Sequence, residues 1–336
     1  MTILSDLHSL DDIAALHLPE CDHAAAAAAK ARQDSLTKPP GSLGRLEELA
    51  IFMAGWQGRE RPQIARAQAL VFAGNHGICD QGVNPFPQEV TAQMVANFQA
   101  GGAAINQLCR ASGADLSVVA LELERPTRDF TQGPAMDPAE TIEAMQRGAA
   151  AVDPDASVLV LGEMGIGNST VAAALACAAF GGAATGWVGR GTGSDTDGQA
   201  HKARVVEAGV ARHQAARGMA MLAALGGREQ AAICGAVLEA RARLMPVILD
   251  GYICTASVAP LFDTAPRLLD HCLVGHASAE PGHLHLLEAM SKPPILSMQM
   301  ALGEGSGAAL ALGVLRAALE CHNGMATFAE AGVSDG

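Results

Sequence analysis

Short runs of aliphatic and β-branched residues alternate along the chain with longer Ala-rich stretches of helical period. The short runs are apolar at nearly every position rather than at every second one, the pattern of strands covered on both faces. They fall at 68–73, 115–121, 157–161, 183–188, 246–249 and 271–275. Helical stretches lie near 88–98, 102–112, 137–151, 168–180, 198–224, 228–243 and 251–262. The helix at 137 carries its own start signal, with Asp137 at the N-cap, Pro138 in the first helical position and Glu140 two residues on. Strands separated by helices predict an α/β fold, a parallel Rossmann-like sheet with helices on both faces. Residues 1–45 and 285–336 have helical pattern and no strand signal. They predict a small helical lobe formed by both termini beside a large α/β domain at 46–284. The alanine run at 24–29 reads as helix, because Lys30, Arg32 and Leu36 continue an ordinary pattern.

Composition narrows the function classes. Of 336 residues, 49% are hydrophobic, enough for a sizeable core, which excludes a disordered chain. A net charge of −13 and only 3% aromatics exclude a nucleic-acid binder, which needs a basic face and stacking platforms. The start, MTILSDLHSLDD, has acidic residues where a secretory signal needs basic and then apolar ones. Eight cysteines are scattered without a C-x-x-C pair, as expected of reduced thiols in a cytoplasm. The longest uncharged stretch, 166–189, holds Asn168, Ser169, Thr170 and a Gly181-Gly182 break, so it reads as a buried helix and not a membrane span.

In a parallel sheet, ligands bind beyond the carboxyl ends of the strands, so the segment after each strand carries the candidate chemistry. After 157–161 comes Gly162-Glu163-Met164-Gly165-Ile166-Gly167-Asn168-Ser169-Thr170. The spacing is that of a phosphate loop, G-x-x-x-x-G-K-[ST], with Asn168 in place of the lysine. Backbone N–H groups and a helix N-terminus suit an anion there, and without the lysine they suit one phosphate better than three. After 183–188 comes Gly189-Arg190-Gly191-Thr192-Gly193-Ser194, followed by Lys202, one of four lysines in the chain. Lys202 reads either as a phosphate partner or as part of a solvated helix face. After 246–249 comes Asp250, which also resembles a Walker B magnesium ligand and keeps a P-loop-like kinase or ATPase reading open. A non-catalytic nucleotide-binding protein is the third reading. After the first strand, Gly74-Asn75-His76-Gly77 opens a long loop to Gln88, with His76 open as an acid, a ligand or a turn residue. Glu304 lies between glycines at the start of the last helix, where a partly buried carboxylate has a raised pKa and can serve as a general base. His276, Glu280, His283 and His285 fit no standard zinc spacing, so no metal is assigned.

Taken together, TKPPGSLGRLEELA (37–50), FAGNHGI…GVNPFPQEVT (72–91), GEMGIGNST (162–170), GRGTG (189–193), PVILDGYICTAS (246–257), HASAEPGH (276–283) and LGEGSGAA (302–309) closely resemble the nicotinate-nucleotide–dimethylbenzimidazole phosphoribosyltransferases of cobalamin biosynthesis. The segments run in the family's order over nearly the whole chain. Asn75 departs from the pattern, since many members carry Asp there. The resemblance implies a homodimer with a parallel α/β sheet and a small helical lobe. It implies transfer of phosphoribose from nicotinate mononucleotide to 5,6-dimethylbenzimidazole, with no cofactor and no metal. It implies Glu304 as the base and Glu163 as a second site carboxylate. Phosphate is expected on Gly165, Ile166, Gly167, Asn168 and Ser169, with Lys202, Gly191, Thr192, Gly193 and Ser278. The flat acceptor is expected against Phe86, Gln88, Met164 and Leu302. These are small-molecule partners, with neither nucleic acid nor membrane involved.

Overall fold

The computed structural model describes residues 2–191, 193 and 195–334; Thr192, expected at the phosphate, lies outside the described residues. Six strands, β1 (Ala67–Ala73), β2 (Ala114–Ala120), β3 (Val158–Met164), β4 (Val247–Leu249), β5 (Cys272–Ala277) and β6 (Pro294–Ser297), form one sheet in the order β2-β1-β3-β4-β5-β6. Every pair is parallel. Side chains alternate between two cores, which is why the strands read as unbroken apolar runs. Ala67, Ala69 and Val71, with Val158, Val160 and Ile248, face one core. Leu70, Phe72, Leu159, Leu161, Val247 and Leu249 face the other. The chain leaves β1 for β2 on one side and returns to β3 on the other, so the order reverses between β1 and β3.

The helices are α1 (His23–Ser35), α2 (Arg45–Gln57), α3 (Glu89–Gln99), α4 (Ala104–Ser112), α5 (Pro138–Ala150), α6 (Asn168–Phe180), α7 (Thr196–Arg212), α8 (Gly218–Leu225), α9 (Arg228–Ala242), α10 (Tyr252–Ser257), α11 (Ala259–Thr264), α12 (Pro281–Ala289), α13 (Ser306–Gly324) and α14 (Phe328–Ala331). Helices α2, α4 and α13 cover the first core, and α5, α6, α8, α9 and α10 the second. The capping box expected at α5 is present, Asp137 taking the Glu140 N–H at 2.8 Å. The two ends of the chain meet: Arg32 Nε donates to the His322 carbonyl at 2.9 Å, and Leu36 bridges to Thr327. Beside this seam Lys38 Nζ and Glu47 Oε1 form a buried ion pair at 2.8 Å.

The structure differs from the expected elements at four places. Residues 183–188 form no strand. Gly181 and Gly182, both at positive φ, turn the chain away, Ala184–Gly186 makes one 3-10 turn, and the sheet position beside β3 belongs to β4. The apolar signal there came from burial, since Ala184, Trp187 and Val188 sit in the core. Conversely β6 lies in the segment expected to be wholly helical. It is four residues long, partly exposed and begins with Pro294, a residue that an edge strand tolerates at its start. The stretch 198–224 breaks into α7 and α8, with Gly218 at φ +52°, and 251–262 breaks into α10 and α11 before Pro260.

Helices α5 and α9 cross backbone to backbone. A Cβ on Gly148 would lie 1.9 Å from the Ala232 carbonyl oxygen, and one on Gly235 would lie 1.9 Å from that of Met145. Gly235→Ala is therefore expected to destabilise the fold by about 1–3 kcal/mol, the usual range for overpacking a rigid core. The check is a urea midpoint lowered at unchanged slope; an unchanged midpoint would mean that the crossing yields freely.

Candidate active site

The site grows from the ends of β3 and β4. Gly162 in β3 has no side chain because the loop before α13 passes there: a Cβ would lie 2.3 Å from the Gly305 nitrogen. That loop runs through three successive left-handed residues, Gly303 at φ +83°, Glu304 at +65° and Gly305 at +84°. For Glu304 this conformation costs roughly 1–2 kcal/mol, so something must hold it. Asp250, fully buried after β4, does so. Its Oδ2 accepts from the Gly305 N–H at 3.0 Å and its Oδ1 from the Ala308 N–H at 2.9 Å. These bonds satisfy the first free N–H groups of α13 and fasten the helix to the sheet. Both carboxylate oxygens are thereby committed to backbone, which corrects the reading of Asp250 as a magnesium ligand.

Glu304 and Glu163 line one cavity together with Met164, Gly165, Ile166, Asn168, Ser169, Gly191, Ser278 and Leu302, so most of the expected site residues meet. Glu304 Oε2 is buried and has no hydrogen-bond partner among the described residues. Burial, with the Asp250 charge adding to it, pushes the Glu304 carboxyl up to about 7. Glu163 is pushed well above the usual carboxylate range by burial, then by Asp250, Glu229 and Glu304. Asn168 Nδ2 donates to Glu163 Oε2 and pulls the other way. The residue standing in for the Walker lysine thus serves a carboxylate.

Gly167, at φ +95°, turns the loop into α6. The Ile166 N–H donates to Thr91 Oγ1 at 3.1 Å and its carbonyl accepts from Cys79 Sγ at 3.2 Å, which fixes the loop from the α3 side. Lys202, only 2% exposed, donates from Nζ to Ser169 Oγ at 3.3 Å. The solvated-face reading of Lys202 is therefore excluded. Burial lowers its pKa and the charge of Glu280 raises it. Gly191 closes the same corner, since a Cβ there would lie 2.8 Å from Ser169 Oγ and 3.2 Å from Lys202 Nζ. The Ser278 N–H donates to His283 Nδ1 at 2.9 Å; burial and neighbouring His276 push His283 down to about 3, so it is neutral. Gly167, Gly193 and Lys202 do not themselves line the cavity. Neither do Phe86, which is half-exposed, and Gln88, whose side chain donates to the His76 carbonyl at 3.0 Å.

The cavity wall also contains Tyr252, Ile253, His276 and Glu280, which sequence reasoning did not place there. Tyr252 is anchored through its hydroxyl to the Trp187 carbonyl at 2.7 Å. His276 is buried with Nε2 3.6 Å from Asp250 Oδ1, too far for a hydrogen bond. A signal for it existed in Gly251 and Gly307: a Cβ on either would lie under 3 Å from the His276 ring. His76, open in the sequence, is fully buried beneath the phosphate loop with Nε2 2.7 Å from Glu229 Oε1. Gly165 lies over that pair, its absent Cβ 3.0 Å from His76 Nε2. Among the described residues no three His, Cys, Asp or Glu side chains are grouped to hold a metal ion.

A family model described as phosphoribosyltransferase matches residues 18–333. The nicotinate-nucleotide–dimethylbenzimidazole phosphoribosyltransferase of Rhodobacter capsulatus is 64% identical over 330 residues, 98% of this chain and 99% of the relative. The enzyme of that name from Ruegeria pomeroyi is 58% identical over 333 residues, 99% of each chain. The crystal structure of CobT from Thermus thermophilus superposes with a TM-score of 0.88 at 42% identity, covering 93% of this chain and all of that one.

The Glu304 carboxyl gives the site a stability signature. The folded protein keeps that proton to about pH 7, whereas an ordinary carboxyl releases it near 4.5, so stability falls as pH rises across this interval. Above it the fold carries a buried anion. Glu304→Gln is expected to be more stable than the parent at about pH 8 and close to it at about pH 4, measured by urea denaturation. Equal stabilities at the higher pH would mean that the carboxylate is not desolvated.

Proposed function

Because this chain belongs to the nicotinate-nucleotide–dimethylbenzimidazole phosphoribosyltransferase family, we propose that it moves the 5-phosphoribosyl group of nicotinate mononucleotide to 5,6-dimethylbenzimidazole, giving α-ribazole 5′-phosphate and nicotinate. The observation that carries the mechanism is Glu304, a buried carboxyl on the wall of the cavity that Glu163 and the phosphate loop also line, with its Oε2 left without a hydrogen-bond partner among the described residues. Ionised, it takes the ring N–H proton of the benzimidazole while the other ring nitrogen attacks C1′ of the ribose. The bond from C1′ to the pyridinium nitrogen breaks, its electron pair returns to that nitrogen, and nicotinate leaves. Attack opposite the leaving group inverts the β-linked centre to α. Glu163 lies at the ribose, where its position beside Asn168 suits it to orient the sugar. The phosphate lies on Gly165 to Ser169, with Lys202, Gly191 and Ser278. Met164 and Leu302 flank the flat acceptor, with Phe86 and Gln88 on the neighbouring loop. By the same likeness we place the enzyme in the cytoplasm as a homodimer. Among the described residues no helix is long and apolar enough to cross a membrane.

The rival kinase reading needs Asp250 free and a lysine at 168. Asp250 is committed to α13, and Asn168 donates to Glu163.

Product formation is tested by mass assay for α-ribazole 5′-phosphate from the two substrates; ATP hydrolysis lost in Asp250→Ala would restore the kinase reading. Glu304→Gln keeps the shape but cannot take the proton, so kcat is expected to fall roughly 10²-fold or more with nucleotide binding little changed. In the parent, kcat should rise with pH to a plateau above about 7 as Glu304 ionises, and the variant should lose that acidic limb. Near-parental kcat in Glu304→Gln would exclude the role.

Lys202→Ala is expected to raise KM for the nucleotide. A charge-assisted contact contributes about 1.5–3 kcal/mol, hence roughly 10- to 150-fold in kcat/KM. An unchanged KM would remove Lys202 from the phosphate site.

A further inference from the structure

The corner formed by Ser169, Gly191 and Lys202 also holds a protein carboxylate, that of Glu280. The Gly191 N–H donates to Glu280 Oε1 at 3.0 Å. Glu280 itself is held at the start of α12, where its own N–H donates to Ser278 Oγ at 3.3 Å. Its carboxylate lies against the Gly loop, for a Cβ on Gly189 would lie 1.8 Å from Glu280 Oε2. It lines the same cavity as Ser169, Gly191 and Ser278. Its field acts on Lys202 and Arg190 without either forming an ion pair with it among the described residues. The lysine ammonium, with three hydrogens to give, donates one to Ser169 and no other hydrogen bond among the described residues. One backbone N–H, that of Gly191, is thus held by a protein carboxylate, and a buried cation with donors to spare stands beside it on Ser169.

We propose that Glu280 is a further residue of the phosphate subsite, an internal anion that competes with the nucleotide phosphate for the Gly191 N–H. The proposal rests on the assignment of this corner to phosphate in the reading above. Its physical basis is that two anions cannot share one N–H at close range without mutual repulsion. The field of the carboxylate favours the charged form of buried Lys202, against the effect of burial. When the phosphate arrives it takes the N–H and the lysine, and Glu280 moves off Gly191. When product leaves, the return of Glu280 competes with the departing phosphate. The residue thus trades ground-state affinity for exchange, lowering nucleotide and product affinity alike.

The test is calorimetric binding of inorganic phosphate, nicotinate mononucleotide and its nucleoside lacking phosphate to the parent, Glu280→Gln, Glu280→Ala and Lys202→Ala. Both Glu280 variants are expected to bind inorganic phosphate and the nucleotide about tenfold more tightly or better, with the nucleoside unchanged. Gln keeps an acceptor for Gly191 and Ala does not, so tightening in both assigns the effect to the charge. Unchanged or weakened phosphate binding in the Glu280 variants would overturn the proposal, as would equal tightening for the nucleoside. Lys202→Ala separates the two levels of the argument. If it weakens phosphate binding while the Glu280 variants do not tighten it, the subsite stands and Glu280 is not its internal anion. If it leaves phosphate binding unchanged, the subsite assignment itself fails, and the role of Glu280 fails with it.

Discussion

The buried carboxylate of Asp250 is the contact on which the rest of the site depends. It sits at the end of the central strand β4 and takes two N–H groups from the first turn of α13, across a separation of more than fifty residues in sequence. Without it the helix start would leave unsatisfied donors in a region that water does not reach, a cost of about 1–3 kcal/mol for each group. With it, the last long helix is fixed against the sheet, and so is the residue that precedes its cap Gly305. That residue is Glu304. The left-handed conformation of Glu304 is local strain that the Asp250 contacts and the close approach to Gly162 hold in place.

The same contact sets the proton inventory. Burial raises Asp250, while His276 and the N–H groups of Ala308, Gly305 and Gly307 pull it back. Its charge raises both Glu163 and Glu304. Carboxyls crowded into a dry region do not all ionise together, and environment divides their tasks. Asp250 holds a helix. Glu163, buried and raised well above the usual carboxylate range, hydrogen-bonds to Asn168. Glu304, less deeply enclosed, titrates near neutrality, where a base is most useful.

Much of this was legible in the chain. Apolar runs located β1, β3, β4 and β5 because both sheet faces are covered there, and the half-buried edge strand β2 because Leu116, Val118 and Val119 still pack on the sheet; the glycines around Glu163 and Glu304 marked close backbone approaches that the fold uses. The resemblance of seven ordered segments fixed the family. What stayed hidden depended on partners remote in sequence. Asp250 looked like a metal ligand because a strand-end aspartate carries no local mark of the helix it will hold. His76 was ambiguous until Glu229 lay 2.7 Å away. Glu280 looked like one of a loose His/Glu cluster, and only the fold of the Gly191 loop gave it a donor. The run at 183–188 misled because burial without pairing has the same hydropathy as a strand, and β6 was missed because a short, partly exposed edge strand has almost none.

The central claim is that the fold holds one carboxyl, Glu304, poised near neutrality by burial and by the neighbouring Asp250. Carbon-13 NMR of the protein labelled at its glutamate side-chain carboxyls, with Glu304→Gln used to assign the resonance, reads that ionisation directly. A resonance that titrates with a midpoint near 7 is the result the account requires. A midpoint near 4.5, the value of an ordinary glutamate, would contradict it.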